Sequence, residues 1–308
     1  MRHPARIASL GMAAALFSTT ALAQRFTGDA SIIPLYPKGT VASLGVPESR
    51  VKQQTGDTLI FNVSKPTLEL FRPAPGKSNR TAVIVAPGGG FVGLGYEEGG
   101  TAVARQLAQR GVTALVLKYR TIRSAADPMQ LPEVHMKEME RLMARAKSGI
   151  PVEMPPFVGE PHAVEDGARA MAIVRQRASE WGVDPRRVGF IGFSAGAYLA
   201  ADLAIGDKTS RPDFVALLYG GLRTPVPAEA SPAFIAAAVD DEFQPNDAMQ
   251  LFTAWRGAGA PVELHIYERG GHGFDLEPKG TTSDHWFDEL IWWMQSRGLM
   301  GASTIPGR

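Results

Sequence analysis

Residues 81–86 (TAVIVA) form an unbroken, mostly β-branched apolar run, the pattern of a strand that shows neither face to water. Such a strand needs cover on both sides, which commits the chain to layers of helix over sheet. The rest of the sequence repeats the theme. Short β-type runs are expected at 58–63, 67–72, 112–118, 187–193, 213–219, 232–239 and 261–267. Helical patterns occupy 97–110, 163–181, 195–205, 246–257 and 283–297. This alternation predicts an α/β fold with a mostly parallel central sheet and helices on both faces. The 308 residues contain no internal repeat and no sign of a second core, so residues 57–308 read as one domain.

Three segments depart from the alternation. Arg2 and Arg6 precede an apolar stretch at 7–17, and Ala21-Leu22-Ala23 supplies small residues at a cleavage site. Residues 1–23 therefore read as a secretory signal peptide, too short in its apolar part to span a bilayer, which takes about 20 residues. The expected destination is the periplasm or the medium, with nothing to separate the two. Residues 24–56 are rich in Pro, Gly, Ser and Thr without periodicity and read as an extended arm. Residues 121–161 are too long for an ordinary strand-to-helix connection. Inside them, 133–147 is amphipathic, with Val134, Met136, Met139, Leu142 and Met143 along one face. This insert is expected to be either a lid over the active site, a helix packed permanently on the body, or a dimer contact.

Composition excludes several functions. Once 1–23 are removed, 30 basic residues face 31 acidic ones, so no electrostatic case exists for nucleic acid or an anionic membrane. Cysteine is absent, which rules out disulfides, a thiol nucleophile and thiolate-bound metal. No metal site and no cofactor is expected. Oligomeric state is left open.

The chemistry concentrates in three loops, each after a predicted strand. Gly192-Phe193-Ser194-Ala195-Gly196 joins a strand directly to a helix, the context of a G-x-S-x-G nucleophile elbow. Small residues two positions either side of Ser194 let the chain reverse tightly. The Ala195 N–H then sits at a helix N-terminus, where it can face developing negative charge. Pro87-Gly88-Gly89-Gly90-Phe91 follows the strand at 81–86, and Gly89 and Gly90 are the expected second half of an oxyanion hole. A phosphate-binding loop fails for want of a following Lys-Ser/Thr. Gly270-Gly271-His272-Gly273-Phe274 presents the expected general base. His3 leaves with the signal, and His135, His162, His265 and His285 are expected in the insert, at a helix start, in a strand and at the last helix. The acid behind His272 is expected in Asp240-Asp241-Glu242. Asp241, four residues before Pro245, is favoured, with Asp240 and then Glu242 as alternatives. Phe91, Tyr96 and Tyr198 are expected either to flank the substrate pocket and stack on a sugar ring, or simply to pack near the loops.

On these motifs the sequence resembles the α/β-hydrolase superfamily, and within it the bacterial exported esterases called acetyl xylan esterase-like or "endo-xylanase B-like". The resemblance spans roughly 80–295 and rests on 86–107 (APGGGFVGLGYEEGGTAVARQL), 111–120 (GVTALVLKYR), 180–203 (EWGVDPRRVGFIGFSAGAYLAADL) and 258–274 (AGAPVELHIYERGGHGF). It implies a serine esterase acting on small-molecule or oligosaccharide esters, with acetylated carbohydrate as the substrate class. Two departures touch specificity: Ala197-Tyr198 stands where such proteins often carry Gly-His, and the Met-rich insert is long. Despite the xylanase label, no carboxylate pair of the kind a glycosidase needs is distinguished in the sequence.

Overall fold

A computed structural model describes residues 31–53, 56–125, 130–149, 153–221 and 223–300. The signal-peptide expectation, residues 1–23, lies outside the described residues. In chain order the strands are β1 (Ser31–Pro34), β2 (Ser49–Lys52), β3 (Thr58–Phe61), β4 (Thr67–Phe71), β5 (Ala82–Ala86), β6 (Gly93–Gly95), β7 (Thr113–Lys118), β8 (Val188–Phe193), β9 (Phe214–Leu218), β10 (Ala233–Ala238) and β11 (Val262–Tyr267). The helices are α1 (Val103–Gln109), α2 (Glu133–Ser148), α3 (Glu160–Gln176), α4 (Ala195–Ile205), α5 (Asp247–Gly257) and α6 (Trp286–Ser296).

Eight strands form the main sheet in the order β1-β4-β7-β5-β8-β9-β10-β11. β1 and β4 run antiparallel to their neighbours, and the pairings from β7 to β11 are parallel. Every residue of β5, β7, β8, β9 and β10 is buried, which accounts for their continuous apolar sequences. Adjacent residues of a strand point to opposite faces, and β8 shows where they go. Phe193 meets Trp286 of α6 edge-on at 5.6 Å, while Gly192 abuts Gly196 of α4. Helix therefore covers both faces at the middle of the sheet.

The arm expected at 24–56 is in part built into the body. β1 pairs along its length with β4, and β2 joins β3 and β6 in a small antiparallel sheet. Strands of three or four residues are too short to show a period, which is why the sequence concealed them. The helix expected from 97 opens with a wide turn (Glu97–Ala102) in which Thr101 N–H reaches back to Tyr96 C=O before α1 begins. The last helix is likewise preceded by a tight turn, Thr282–His285, with Thr281 and Asp284 forming a capping box.

Candidate active site

The tips of β5, β8, β10 and β11 bring the three loops together. At the end of β8 the chain turns into α4 within one residue. Ser194 takes φ 50° and ψ −114°, a left-handed backbone that a side chain adopts at a cost of about 1–3 kcal/mol. Its N–H donates to Leu218 C=O at 3.0 Å, and its C=O already accepts from Ala197 N–H at 2.8 Å, so neighbours on both sides hold it. The glycines are steric requirements. A Cβ on Gly192 would lie 2.0 Å from Gly196 O, and one on Gly196 2.1 Å from Ala86 O.

Ser194 Oγ stands 2.7 Å from His272 Nε2, though the residues are 78 apart in the chain. His272 Nδ1 stands 2.9 Å from Asp241 Oδ2. The Asp241 side chain is fully buried, and its other oxygen accepts N–H bonds from Phe243 at 2.8 Å and Gln244 at 2.9 Å. With one oxygen committed to the backbone, the second is held toward the imidazole. Tyr219 and Phe243 close on the imidazole edge-on, each with centroids 5.0 Å away.

The two flanking acids have their own tasks. Asp240 Oδ1 accepts from Gly270 N–H at 3.0 Å and Gly271 N–H at 2.7 Å, and Glu242 Oε2 accepts from His272 N–H at 3.2 Å. Both side chains are exposed, and they anchor the histidine loop from the solvent side. Of the remaining described histidines, His265 lies on β11 between Glu263 and Glu289, His162 is exposed on α3, and His285 leads into α6.

The glycine loop after β5 folds on itself. Gly89 C=O accepts from Val92 and Gly93 N–H, and Tyr119 hydroxyl donates to Pro87 C=O at 2.7 Å. Gly89 and Gly90 have φ of 131° and 60°, and a Cβ on Gly89 would lie 2.3 Å from Gly93 O. Among the described residues the N–H groups of Gly89, Gly90 and Ala195 have no acceptor. All three residues line the cavity that contains Ser194 and His272.

That cavity measures about 330 Å³. Phe91 and Tyr198 belong to its wall, where Phe157 packs between them with centroids at 5.7 and 5.1 Å. Both are about 1% exposed, so they shape the cavity by packing and leave little ring face for stacking. Tyr96 is placed elsewhere. It is not in the cavity wall; its hydroxyl donates to Glu69 at 2.9 Å and Arg50 lies over its ring.

The insert supplies much of the wall. His135, Met139 and Leu142 of α2 line the cavity, together with Phe157. Arg145 of α2 grips Asp247 of α5 through two bonds of 2.7 and 2.5 Å, with both side chains nearly buried. Glu138 of α2 accepts from Val158 N–H at 2.8 Å, and beyond α2 Glu160 pairs with buried Arg223 at 2.5 Å. His135 is the residue that sequence reading passed over. Its ring lies against Gly90, where an added Cβ would come 2.4 Å from Cε1, and it hydrogen-bonds to the Gly90 backbone. Burial lowers its pKa and that bond opposes the shift, while Nδ1 is buried with no partner. Helical spacing from Met139 and Leu142, one and two turns on, is the only signal that placed it on the packed face. On the far side of the cavity, burial and the carboxylates of Asp57, Asp275 and Glu277 push Glu98 up to about 7. Among the described residues no group of His, Asp and Glu is arranged to hold a metal ion, and no helix is long and apolar enough to cross a membrane.

Comparison with known proteins adds to this geometry. The family description "Dienelactone hydrolase family" matches residues 72–295. The acetylxylan esterase of Xylanibacter ruminicola is 26% identical over 285 residues, covering 80% of this chain and 52% of that protein. The endo-1,4-beta-xylanase B of Butyrivibrio fibrisolvens is 25% identical over 239 residues, covering 64% of this chain and 33% of that protein. The chain thus spans about half the length of the first relative and a third of the second. Among solved structures, the acetyl ester-xyloside bifunctional hydrolase of Caldicellulosiruptor lactoaceticus aligns with a TM-score of 0.62 at 22% identity, over 88% of this chain and 98% of that one. Esterase 2 of Thermogutta terrifontis, phosphonylated by cyclosarin, aligns at 0.56 and 21%, over 84% and 97%. These likenesses show the α/β-hydrolase fold.

Proposed function

The chain belongs to the dienelactone hydrolase family, and from that premise we propose that it is a serine ester hydrolase working through Ser194, His272 and Asp241. The observation that carries the proposal is the unbroken relay of 2.7 and 2.9 Å contacts from Ser194 Oγ through the imidazole to a buried carboxylate. Gly89, Gly90 and Ala195, whose amide N–H groups have no acceptor among the described residues, line the cavity that holds Ser194.

In the proposed mechanism, His272 Nε2 takes the Ser194 proton as Oγ attacks the ester carbonyl carbon. The carbonyl oxygen becomes an oxyanion and accepts from Ala195 N–H and from Gly89 or Gly90 N–H. Each such donor is typically worth about 3–4 kcal/mol of barrier. Collapse breaks the bond to the alcohol oxygen, which takes the proton from His272. Water then enters, gives a proton to His272 and its oxygen to the acyl carbon. Release of the carboxylic acid returns the proton to Ser194. Asp241 fixes the tautomer that leaves Nε2 bare and stabilises the imidazolium formed in each half. The elbow's strain is the local cost of holding Oγ at the sheet edge.

The substrate class we propose is a short-chain, chiefly acetyl, ester of a carbohydrate. Support comes from the relatives, two of which bear names tied to acetylxylan or xylan, and from the modest volume of the cavity, about 330 Å³. We propose export through residues 1–23 on their three-part pattern alone. A chain-length series of nitrophenyl esters, run beside acetylated xylo-oligosaccharides with Ser194→Ala as the blank, tests the reading. Acetyl should be the best acyl group, and a preference for acyl chains of eight or more carbons would overturn the assignment of class.

A further inference from the structure

The cavity around Ser194 carries one sign of charge. Among the described residues its wall includes Asp57, Glu98 and Asp275, and neither lysine nor arginine. Asp57 is committed to structure, since its Oδ1 accepts from the N–H groups of Thr58, Glu97 and Glu98 at 2.7, 3.1 and 3.2 Å. Glu98 is left to meet a ligand, while Asp275, whose Oδ1 accepts from Glu277 N–H at 2.6 Å, adds its charge to the wall. Lys279 approaches Asp275 Oδ2 at 3.5 Å, but it stands outside the wall and its side chain is 44% exposed.

Two buried wall residues add to the picture independently. His135 Nδ1 and Gln244 Oε1 have no hydrogen-bond partner among the described residues, and both side chains are at least 95% buried. A buried polar atom without a partner is costly unless something in the site supplies one. An imidazole kept neutral by burial offers a bare lone pair on one ring nitrogen. Acceptors are thus prominent in the wall, beside donors that include the Ser194 hydroxyl, the amide N–H groups reserved for the oxyanion, the Gln244 amide and the unpartnered Tyr198 hydroxyl.

Position assigns this chemistry to one part of the substrate. The leaving oxygen takes its proton from His272, so the alcohol lies on the side of that imidazole. Asp275 belongs to the same loop, three residues on, and Glu98 shares its side of the cavity. We propose that the cavity selects esters whose alcohol part is uncharged and bears hydroxyl donors, and turns away esters whose alcohol part carries a carboxylate, with Glu98 and Asp275 as the discriminating side chains. The inference rests on the reading that Ser194 attacks in this cavity. A cleft of one charge sign repels a like-charged ligand and favours donors, and the effect weakens with salt.

Protonation provides a second handle. Glu98 titrates near pH 7 because burial and the carboxylates of Asp57, Asp275 and Glu277 disfavour its charge, with Lys279 opposing them and exposed Glu97 beside it in the chain. Below that pH its charge is lost. Discrimination against an anionic alcohol therefore grows as pH rises through about 7. His272 acts on both esters alike, so its own titration cancels in a ratio.

The experiment compares kcat/KM for a mono-acetylated methyl xyloside with that for the equivalently acetylated methyl glucuronoside, which adds one carboxylate. Aryl acetate serves as the reference. At pH 8 and low ionic strength the xyloside should be favoured at least tenfold. Glu98→Gln with Asp275→Asn should bring the ratio below threefold, and 0.5 M salt should reduce it in the parent enzyme. The ratio should also shrink from pH 8 to pH 5.5. The salt and pH series need no variant, so they decide the matter even if the double substitution fails to fold. Equal cleavage of the two sugar esters, or a ratio unmoved by the substitutions, overturns this inference alone, and cleavage of aryl acetate but neither sugar ester overturns it together with the carbohydrate substrate class. Absence of all esterase activity overturns the serine reading and takes this inference with it.

Discussion

The elbow and the insert do equally close-range work at one cavity, yet they are held by opposite means. Ser194 is fixed by backbone: a strand, a reversal in one residue, a helix, and two glycines where a Cβ would lie about 2 Å from a carbonyl oxygen. The cavity face of α2 is fixed by side chains from distant elements. Arg145 reaches Asp247 across 102 residues, and Glu138 and Glu160 receive backbone N–H groups or a guanidinium further on. A backbone device fails completely when its geometry is denied. A side-chain clamp fails by degrees.

That contrast can be broken at several places, beginning with the most severe. Gly192→Ala places a methyl group against backbone that cannot move without parting β8 from α4. The expected result is loss of soluble folded protein, and a cooperative melt near that of the parent would refute the steric account. Asp241→Asn keeps the shape but gives His272 the wrong partner, and kcat should fall by about 10⁴-fold, as such changes typically do. Because Asp241 also accepts two N–H bonds, its melting temperature should drop modestly.

On the insert, Arg145→Met leaves the Asp247 carboxylate buried without its fork. Removing one partner of a buried pair typically costs about 3–5 kcal/mol, to be read from denaturant unfolding. Steady-state kinetics should show KM raised more than kcat lowered, since α2 shapes the wall and the backbone still sets the nucleophile. A fall in kcat alone would mean that the insert governs the chemistry. The smallest effect belongs to His135. Its folded-state pKa is lowered, so the unfolded chain binds the proton more tightly, and stability present above about pH 6.5 is lost as pH falls below it. His135→Gln removes that proton, so the drop in melting temperature between pH 7 and pH 5 should be smaller than in the parent.

The same contrast explains what could be read in advance. Gly192, Gly196, Gly89 and Gly90 announce themselves because the required backbone excludes other residues, and the loops they occupy follow strands with strong apolar patterns. Meeting of Ser194, His272 and Asp241 follows from the strand order, which puts the tips of β8, β10 and β11 on one edge. His135 was illegible because a histidine on an amphipathic helix shows nothing until the helix has a neighbour. Tyr96 misled for the related reason that an aromatic beside a glycine loop has two sides to choose from, and Glu69 on β4 claims its hydroxyl. The roles of Asp240 and Glu242 needed the histidine loop in place, since each carboxylate accepts backbone N–H groups about thirty positions away. β1 and β2 lay below the length at which periodicity speaks.

The central claim is that Ser194 Oγ is a nucleophile activated by His272, and covalent labelling tests it most directly. Incubation with a serine-directed phosphonate, followed by mass analysis of the intact chain and its peptides, should give one adduct on Ser194, formed in step with loss of aryl acetate hydrolysis. Ser194→Ala should take up none and should melt near the temperature of the parent, because the backbone of the elbow is unchanged and one hydroxyl hydrogen bond is lost. An adduct on another residue, or full esterase activity in Ser194→Ala, would contradict the account.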